Sequence, residues 1–203
     1  MADSGESVIL ADMDIINPYF CLRALACDIK KDNLSVLMPP GDIKWGDMSY
    51  INPLIRTKIH DASNRLIIDV GGDSKGALAL KQFEPEIIKA GYDLIFVINP
   101  YRTHTKNFSE IAQMKDKLEA TCGLKVSSIA ANPHLMDTTS PKDCAEGIIL
   151  VDNFSKKMDV PMLFGIAEES ISSDVRKMLP DNIPMWILQR EILLPWERGK
   201  VRI

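Results

Sequence analysis

The stretch RLIIDVGGD, residues 65–73, decides the fold of this chain. An apolar run long enough for one β-strand ends in Asp69, and Gly71 and Gly72 follow almost at once. A run that stays apolar, without polar alternation, is typical of a strand covered on both faces of a parallel sheet. The stretch therefore predicts a buried parallel strand that delivers a carboxylate to a glycine turn.

The same kind of run recurs along the chain, separated by longer amphipathic stretches. We expect strands at residues 7–12, 33–38, 65–70, 93–99, 125–132, 161–167 and 185–189. Apolar residues at helical spacing predict helices over 105–121, 142–158 and 168–179. Thr105 is the expected cap of the first of these helices, and Ser140-Pro141 begins the second. Strands that alternate with helices predict an α/β fold of three layers, α/β/α, around a mostly parallel sheet.

Composition limits the classes of function. The 203 residues predict a single domain over 1–203, and 24 basic against 28 acidic residues give a net charge of −4. The chain has no surplus of basic residues, so we expect no nucleic-acid partner. It also has no apolar run long enough to span a membrane. The acidic, polar start MADSGES is unlike a secretory signal, and the cysteines form no C-x-x-C pair. We therefore expect a cytoplasmic protein with reduced thiols.

Carboxylates follow the predicted strands where a parallel sheet binds its ligand, at the carboxyl ends. A carboxylate such as Asp69 repels a phosphate unless a cation intervenes, and Mg²⁺ bound through carboxylates, waters and phosphate oxygens resolves this conflict. The apolar strand followed by Asp69, Gly71 and Gly72 thus predicts the metal side of a phosphate site. The alternative is a plain strand-to-helix turn with an aspartate cap.

A second acidic pair, Asp12 and Asp14, follows the first predicted strand. Two carboxylates two residues apart on an extended segment point to the same side. One can hold a metal-bound water while the other positions an attacking water. The alternative is a capping aspartate next to a turn aspartate.

Four stretches together resemble a known family. They are VILADMDIINPYF (8–20), LIIDVGGDSKGALAL (66–80), FVINPYR (96–102) and AANPHLMDTT (130–139). This series resembles the MinD/ParA/CobQ-type branch of the P-loop NTPases, and in particular a group of uncharacterised bacterial ATP-binding proteins. The resemblance covers residues 7–196 and implies a P-loop NTPase-like fold.

The resemblance also implies roles for individual residues. Asp14 would orient the hydrolytic water, as the catalytic residue. Asp12 would lie near the magnesium, and Asp69 would bind a magnesium-bound water, so these two form the implied metal site. Gly72 would face the γ-phosphate, and Asn132 would contact the adenine. The implied cofactors are ATP and Mg²⁺, the implied activity is ATP hydrolysis, and the implied partners are a second copy across the nucleotide face and an unknown protein.

One part of the family pattern is missing. The family begins with a strand, a G-x-x-x-x-G-K-[ST] loop and a helix, and this sequence contains no such loop. Gly71 to Gly76 has the glycine spacing, but Ala77 and Leu78 stand where lysine and serine or threonine are required, and Asp73 would repel phosphate. We therefore expect a chain that lacks the first βα unit of its family. By itself it should bind Mg²⁺·ATP weakly or not at all.

The missing strand would lie between the strands at 65–70 and 93–99. These two strands pair directly, or a partner chain supplies a strand, or the chain is a piece of a longer gene product, and we expect the last. The rival function is a non-catalytic interaction scaffold that uses the surface Asn17–Arg23 for a protein partner. A small-ligand Rossmann-type domain is a weaker alternative, because no G-x-G-x-x-G follows any predicted strand.

Overall fold

The computed structural model describes residues 2–14, 22, 31–38 and 50–190. Apart from Leu22, the surface Asn17–Arg23 lies outside these residues. The strands are β1 (Val8–Met13), β2 (Leu34–Leu37), β3 (Arg65–Val70), β4 (Ile95–Ile98), β5 (Ser128–Ala131), β6 (Met162–Glu168) and β7 (Met185–Leu188). The α-helices are α1 (Leu54–Ile59), α2 (Ser74–Lys81), α3 (Glu84–Ala90), α4 (Phe108–Cys122), α5 (Pro141–Met158) and α6 (Glu169–Met178).

The strands form two sheets, with the orders β2-β1-β3 and β4-β5-β6-β7. Every strand pair in these ladders is parallel. Helices occur between successive strands from β2 onward. This confirms the predicted α/β/α fold class with its parallel strands.

Contacts divide the chain into two compact units. The first unit contains Met1–Tyr92, Thr121–Gly123 and Glu191–Ile203, and the second contains Asp93–Ala120 and Leu124–Arg190.

In the first unit, β1 is the central strand and its side chains are almost all buried. Ile9, Ala11 and Met13 are at most 4% exposed. Helix α2 packs against both β1 and β3. The unit therefore fixes the carboxyl ends of β1 and β3 relative to the first turn of α2.

In the second unit, the helices pack on one continuous apolar cluster with the sheet. This cluster contains Phe96 and Ile98 of β4, Ile129 of β5 and Ile111 of α4. It continues through the buried side chains of α5 and α6, which are Cys144, Ala145, Ile148, Val151, Phe154 and Val175. The carboxyl ends of β4 and β5 thus rest on a rigid base.

β3 and β4 are each the last strand of their own sheet in the described ladders. β3 is paired with β1, and β4 is paired with β5, and the recorded ladders give neither a second partner. The described ladders therefore do not contain the direct pairing of residues 65–70 with 93–99, which was one of the expected alternatives.

The helix ends test the capping predictions. Helix α5 begins with a capping box in which Ser140 and Asp143 bond each other's backbone N–H groups, as Ser140-Pro141 predicted. The expected cap of α4 is wrong. Thr105 donates its hydroxyl proton to the carbonyl of Asn99, and Asn107 caps α4 by accepting the N–H of Glu110.

In the described residues, no helix has both the length and the apolar composition to cross a bilayer.

Candidate functional site

The carboxyl ends of β1 and β3 bring the predicted acidic residues of the first unit together. In the parallel ladder Asp12 is the direct partner of Asp69. Neighbouring strands lie about 4.8 Å apart, and directly paired residues project to the same face of the sheet. Asp12 and Asp69 therefore project side by side to the same face of the sheet, at the carboxyl ends of β1 and β3.

The three carboxylates differ in burial. Asp12 is 1% exposed, Asp14 is half-buried and Asp69 is exposed. The Oδ1 atom of Asp12 accepts the backbone N–H of Asp14 at 3.1 Å. This hydrogen bond partly compensates the buried carboxylate, and it also fixes the direction in which the chain leaves β1. Asp12 thus serves as a turn aspartate, and its position remains compatible with a role near a cation.

The carboxylate of Asp14 lies against the backbone of Gly71. A β-carbon on Gly71 would stand 3.1 Å from Oδ1 of Asp14, tighter than ordinary contacts. A side chain at this position would push the carboxylate away. Gly71 is therefore the residue that lets the end of β1 and the turn after β3 approach each other, a role that the sequence analysis missed.

Gly72 has a different environment. Among the residues that the structure describes, no atom lies within 4 Å of a β-carbon added there. The backbone of Gly72 is also outside the left-handed region.

Asp73 caps the N-terminus of α2 with its side chain. Asp73 accepts hydrogen bonds from the N–H groups of Lys75 at 2.9 Å and Gly76 at 3.0 Å. A carboxylate thus occupies the place where a phosphate-binding loop would hold a phosphate. Gly76 packs so closely on Gly71 that a β-carbon would lie 2.1 Å from the Gly71 carbonyl oxygen. The glycine spacing from 71 to 76 serves this turn, and the aspartate cap expected in the alternative interpretation is Asp73.

Asn132, the predicted adenine contact, lies in the second unit directly after β5. Its backbone N–H donates to the carbonyl of Ile98 at 2.8 Å, and the residue is half-buried. Among the described residues, no hydrogen bond of its side-chain amide is recorded. The backbone of Asn132 is thus fixed at the end of β5.

Asn99, after β4, joins the two strand-end loops of the second unit. Its side-chain nitrogen donates to the carbonyl of His134 at 2.8 Å, and its Oδ1 accepts the N–H of Tyr101 at 3.0 Å. Tyr101 in turn donates its hydroxyl proton to the carbonyl of Asp143 in the first turn of α5, at 2.5 Å. Burial, followed by the nearby Asp143 carboxylate, raises the pKa of Tyr101, so the phenol remains a donor at neutral pH. The sequence pointed to Asn99 only through the Asn-Pro pair after the strand.

The described residues contain no ready-made metal cage. In residues 2–14, 31–38 and 50–190, no three His, Cys, Asp or Glu side chains are grouped so that they alone could hold a metal ion.

Comparison of the chain with protein-family models, curated proteins and solved structures gave no match. The relation to the MinD/ParA/CobQ branch therefore rests on the sequence motifs and stays a prediction.

Proposed function

We propose that this chain is an ATP-binding, ATPase-like domain of the MinD/ParA/CobQ class, which hydrolyses ATP with Mg²⁺ when a phosphate-binding loop completes it. The observation that carries the proposal is the register that makes Asp12 the partner of Asp69, with Asp14 resting on Gly71. This is the convergence that a Mg²⁺-phosphate site needs from two strand ends. An α/β domain without such a site does not need carboxylates to converge from two strand ends.

The residues at this edge fit Mg²⁺. Magnesium in phosphate sites is usually held by one or two carboxylates, and waters and phosphate oxygens complete its octahedron. Asp12 and Asp69 can supply that part, so a three-residue protein cage is not needed. When bound, Mg²⁺ would neutralise charge on the β- and γ-phosphates.

Asp14 is suited to hold the attacking water. Its carboxylate is half-buried, and its direction is set by Gly71 and by the bond from its own N–H to Asp12. A fixed carboxylate accepts a hydrogen bond from water and orients the water lone pair, which is a positioning contribution to catalysis. The open space at Gly72 would admit the γ-phosphate.

The chain itself supplies little to cradle the phosphates. The sequence has no G-x-x-x-x-G-K-[ST] loop, and Asp73 occupies the N-terminus of α2. We therefore propose that the chain alone binds Mg²⁺·ATP with a Kd of about 1 mM or weaker, corresponding to at most about 4 kcal/mol of binding free energy. Full activity, and an ATP-driven dimer through the nucleotide face, would require a phosphate-binding strand and loop from elsewhere.

A nuclear magnetic resonance titration with a non-hydrolysable ATP analogue and Mg²⁺ tests this proposal. We expect amide shifts concentrated at residues 12–14 and 69–73. Asp69→Asn should weaken the shifts at least about threefold, because a ligand carboxylate is lost. Asp73→Asn is the matched control, since asparagine also caps helices and the variant removes a charge that repels phosphate. It should bind as well as the wild type or better. Equal strengthening by both variants would indicate nonspecific anion binding and would overturn the metal-site assignment.

A non-catalytic scaffold is the second candidate. The absent phosphate loop and the aspartate at the start of α2 favour it. A folded protein without shifts at either stretch, with the analogue raised to about 10 mM, would support the scaffold over the ATPase. We propose a cytoplasmic location for both candidates, because Cys144 is a buried thiol outside any disulfide of the described residues.

A further inference from the structure

The last strand of the second sheet, β7, exposes apolar side chains on both of its faces. Trp186, Ile187 and Leu188 follow one another in this strand and are 63%, 60% and 46% exposed. Successive residues of a strand project to opposite faces, so Trp186 and Leu188 lie on one face and Ile187 lies on the other. The ring of Trp186 stacks on the ring of Phe164 in β6, with 3.9 Å between the ring centroids. Apolar surface is therefore accessible on both sides of this strand, within the second unit alone.

The hydrogen-bonding direction of each β7 residue follows from its ladder with β6. β7 is the last strand of its recorded sheet and pairs parallel to β6. The N–H of Gly165 in β6 donates to the carbonyl of Pro184 at 2.9 Å. In a parallel ladder, residues that bond the neighbouring strand alternate with residues that point away from it, so Trp186 and Leu188 face β6. The backbone groups of Met185 and Ile187 point to the outer side of β7.

The sequence of β7 has none of the features by which edge strands avoid pairing. Such strands usually carry charged side chains, above all lysine, or a bulge that twists the edge away. The four residues Met185–Leu188 are all apolar, and their ladder with β6 runs without a register shift. The outer side of β7 is therefore suited to pair with another strand.

We propose that β7 pairs with β7 of a second copy of this chain, antiparallel across a two-fold axis at Ile187. Paired residues must project to the same face of the joined sheet, and a hydrogen-bonded pair must point its backbone groups at each other. Ile187 opposite Ile187 of the second copy meets both conditions. This register also places Trp186 opposite Leu188 of the second copy in a non-hydrogen-bonded pair, where side chains come closest. An axis between Trp186 and Ile187 would instead pair side chains of opposite faces.

The pairing surface is self-complementary but small. Each of the three exposed side chains gains an apolar neighbour from an identical surface, as a two-fold interface requires. Covering them buries on the order of 300 Å² on each copy, against about 800 Å² on each partner in a stable complex. Interfaces of this size are typically transient. We therefore expect dimers at about 0.5 mM protein and monomers at about 1 µM.

Analytical ultracentrifugation without nucleotide tests the proposal, because a dimer through the nucleotide face is then not measured. Ile187→Lys should weaken association at least about tenfold, since two lysines would face each other at the axis. Ile88→Lys is the matched control, because Ile88 lies on α3 and is 55% exposed, and this variant should dimerise like the wild type. A mixture of Ile187→Lys and Ile187→Glu should dimerise again, since opposite charges then meet. A mixture that stays monomeric would contradict the register, and equal weakening by Ile88→Lys would contradict the interface.

Amide hydrogen exchange of the wild type tests the same pairing without a variant, and it decides the matter if Ile187→Lys does not fold. The amide of Ile187 should exchange more slowly as the protein concentration rises, whereas those of Trp186 and Leu188 should be protected at every concentration by β6. Equal protection of Ile187 at all concentrations would show that another part of the chain, such as residues 191–203, covers the strand, and would overturn the proposal. Fast exchange of Ile187 at about 0.5 mM would overturn it as well.

Discussion

The carboxylate of Asp14 lies close enough to Gly71, at the end of the first sheet, that a β-carbon on Gly71 would make a tight contact with it. A β-carbon there would stand 3.1 Å from Oδ1 of Asp14. This contact joins the turn after β1 to the turn after β3. It makes the position of the carboxylate sensitive to a single methyl group.

The two neighbouring glycines should respond differently to alanine. Gly71→Ala must displace Asp14 by a few tenths of an ångström and should lower the free energy of unfolding by about 1 kcal/mol. Gly72→Ala meets no neighbour in the described part of the chain and should leave this free energy within about 0.5 kcal/mol of the wild type. Gly72→Ala should nevertheless weaken binding of the Mg²⁺·ATP analogue, because the methyl group fills the space proposed for the γ-phosphate. Urea unfolding and nuclear magnetic resonance titration of the same samples measure both. Unchanged binding in Gly72→Ala would remove Gly72 from the site.

Gly147 lies on the face of α5 that packs against Pro133 and Tyr101, and replacing it should destabilise the protein. A β-carbon there would lie 2.4 Å from Cβ of Pro133 and 3.2 Å from the Tyr101 ring. Gly147→Ala should therefore lower the free energy of unfolding by about 1–3 kcal/mol, although alanine favours the helix. Glu146→Ala, at an exposed position on the same helix, is the control and should change stability by less than about 0.5 kcal/mol. Guanidinium unfolding monitored by circular dichroism measures both variants, and a stabilised Gly147→Ala would show that α5 does not pack on Pro133 in solution.

Glu119 should make folding sensitive to acid. The residue is 7% exposed and accepts bonds from Lys125 at 2.7 Å, from the N–H of Val126 at 2.9 Å and from Lys115 at 3.2 Å. Burial by itself would raise the pKa of Glu119, but these three donors outweigh it and the pKa lies below its ordinary value. The native state thus favours the carboxylate. Its contribution to stability is complete above the unfolded-state pKa of about 4.3 and is lost as the pH falls through the lower folded-state pKa.

Glu119→Gln removes this dependence. The variant should be less stable at pH 7 by about 1–3 kcal/mol, because Lys115 and Lys125 lose their charged partner. The difference from the wild type should shrink as the pH falls below about 4. Glu146→Gln, which alters an exposed pair with Lys142 at 3.8 Å, is the control and should follow the wild type. Unfolding free energies measured between neutral and acid pH test this, and a constant difference across the range would contradict the assignment.

The thiol of Cys144 should be inert in the folded protein. It is 1% exposed and donates to the carbonyl of Ile166 at 3.5 Å, and burial raises its pKa to about 11. The reactive thiolate is therefore scarce at neutral pH. Peptide-level mass spectrometry after iodoacetamide treatment should find Cys144 unmodified in buffer and modified in guanidinium. Rapid labelling of Cys144 in buffer would show that α5 opens locally.

The sequence predicted the strands well because each strand is a short apolar run with a turn at each end. β3 occupies 65–70 as expected, and β6 begins and ends one residue later than predicted. The expected burial of β3 is wrong: it is the last strand of its recorded sheet, and its residues alternate between exposed and half-buried. Helix α5 was predictable for a local reason, since Ser140 and Asp143 form its cap within four residues. These features depend on neighbours in the chain, which periodicity and capping rules describe directly.

Features that depend on distant contacts were not predictable. Thr105 has the composition of a helix cap, yet its hydroxyl bonds the carbonyl of Asn99 and α4 begins after Asn107. The close approach of Asp14 to Gly71 joins residues that are 57 positions apart in the chain. The hydrogen bond from the Asn99 side chain to the carbonyl of His134 joins residues that are 35 positions apart. The division into two sheets also depends on which strands become neighbours, and the apolar runs do not specify this. At the candidate site, the sequence pointed to the three carboxylates but not to Gly71, which lies against Asp14.

Paramagnetic broadening by Mn²⁺, in place of Mg²⁺, tests the central claim most directly. With a non-hydrolysable triphosphate present, the amide signals of residues 12–14 and 69–72 should broaden first, and Asp69→Asn should abolish this selectivity while Asp73→Asn preserves it. Broadening centred on other acidic positions, or equal broadening in both variants, would contradict the claim that the ends of β1 and β3 hold a cation for a nucleotide.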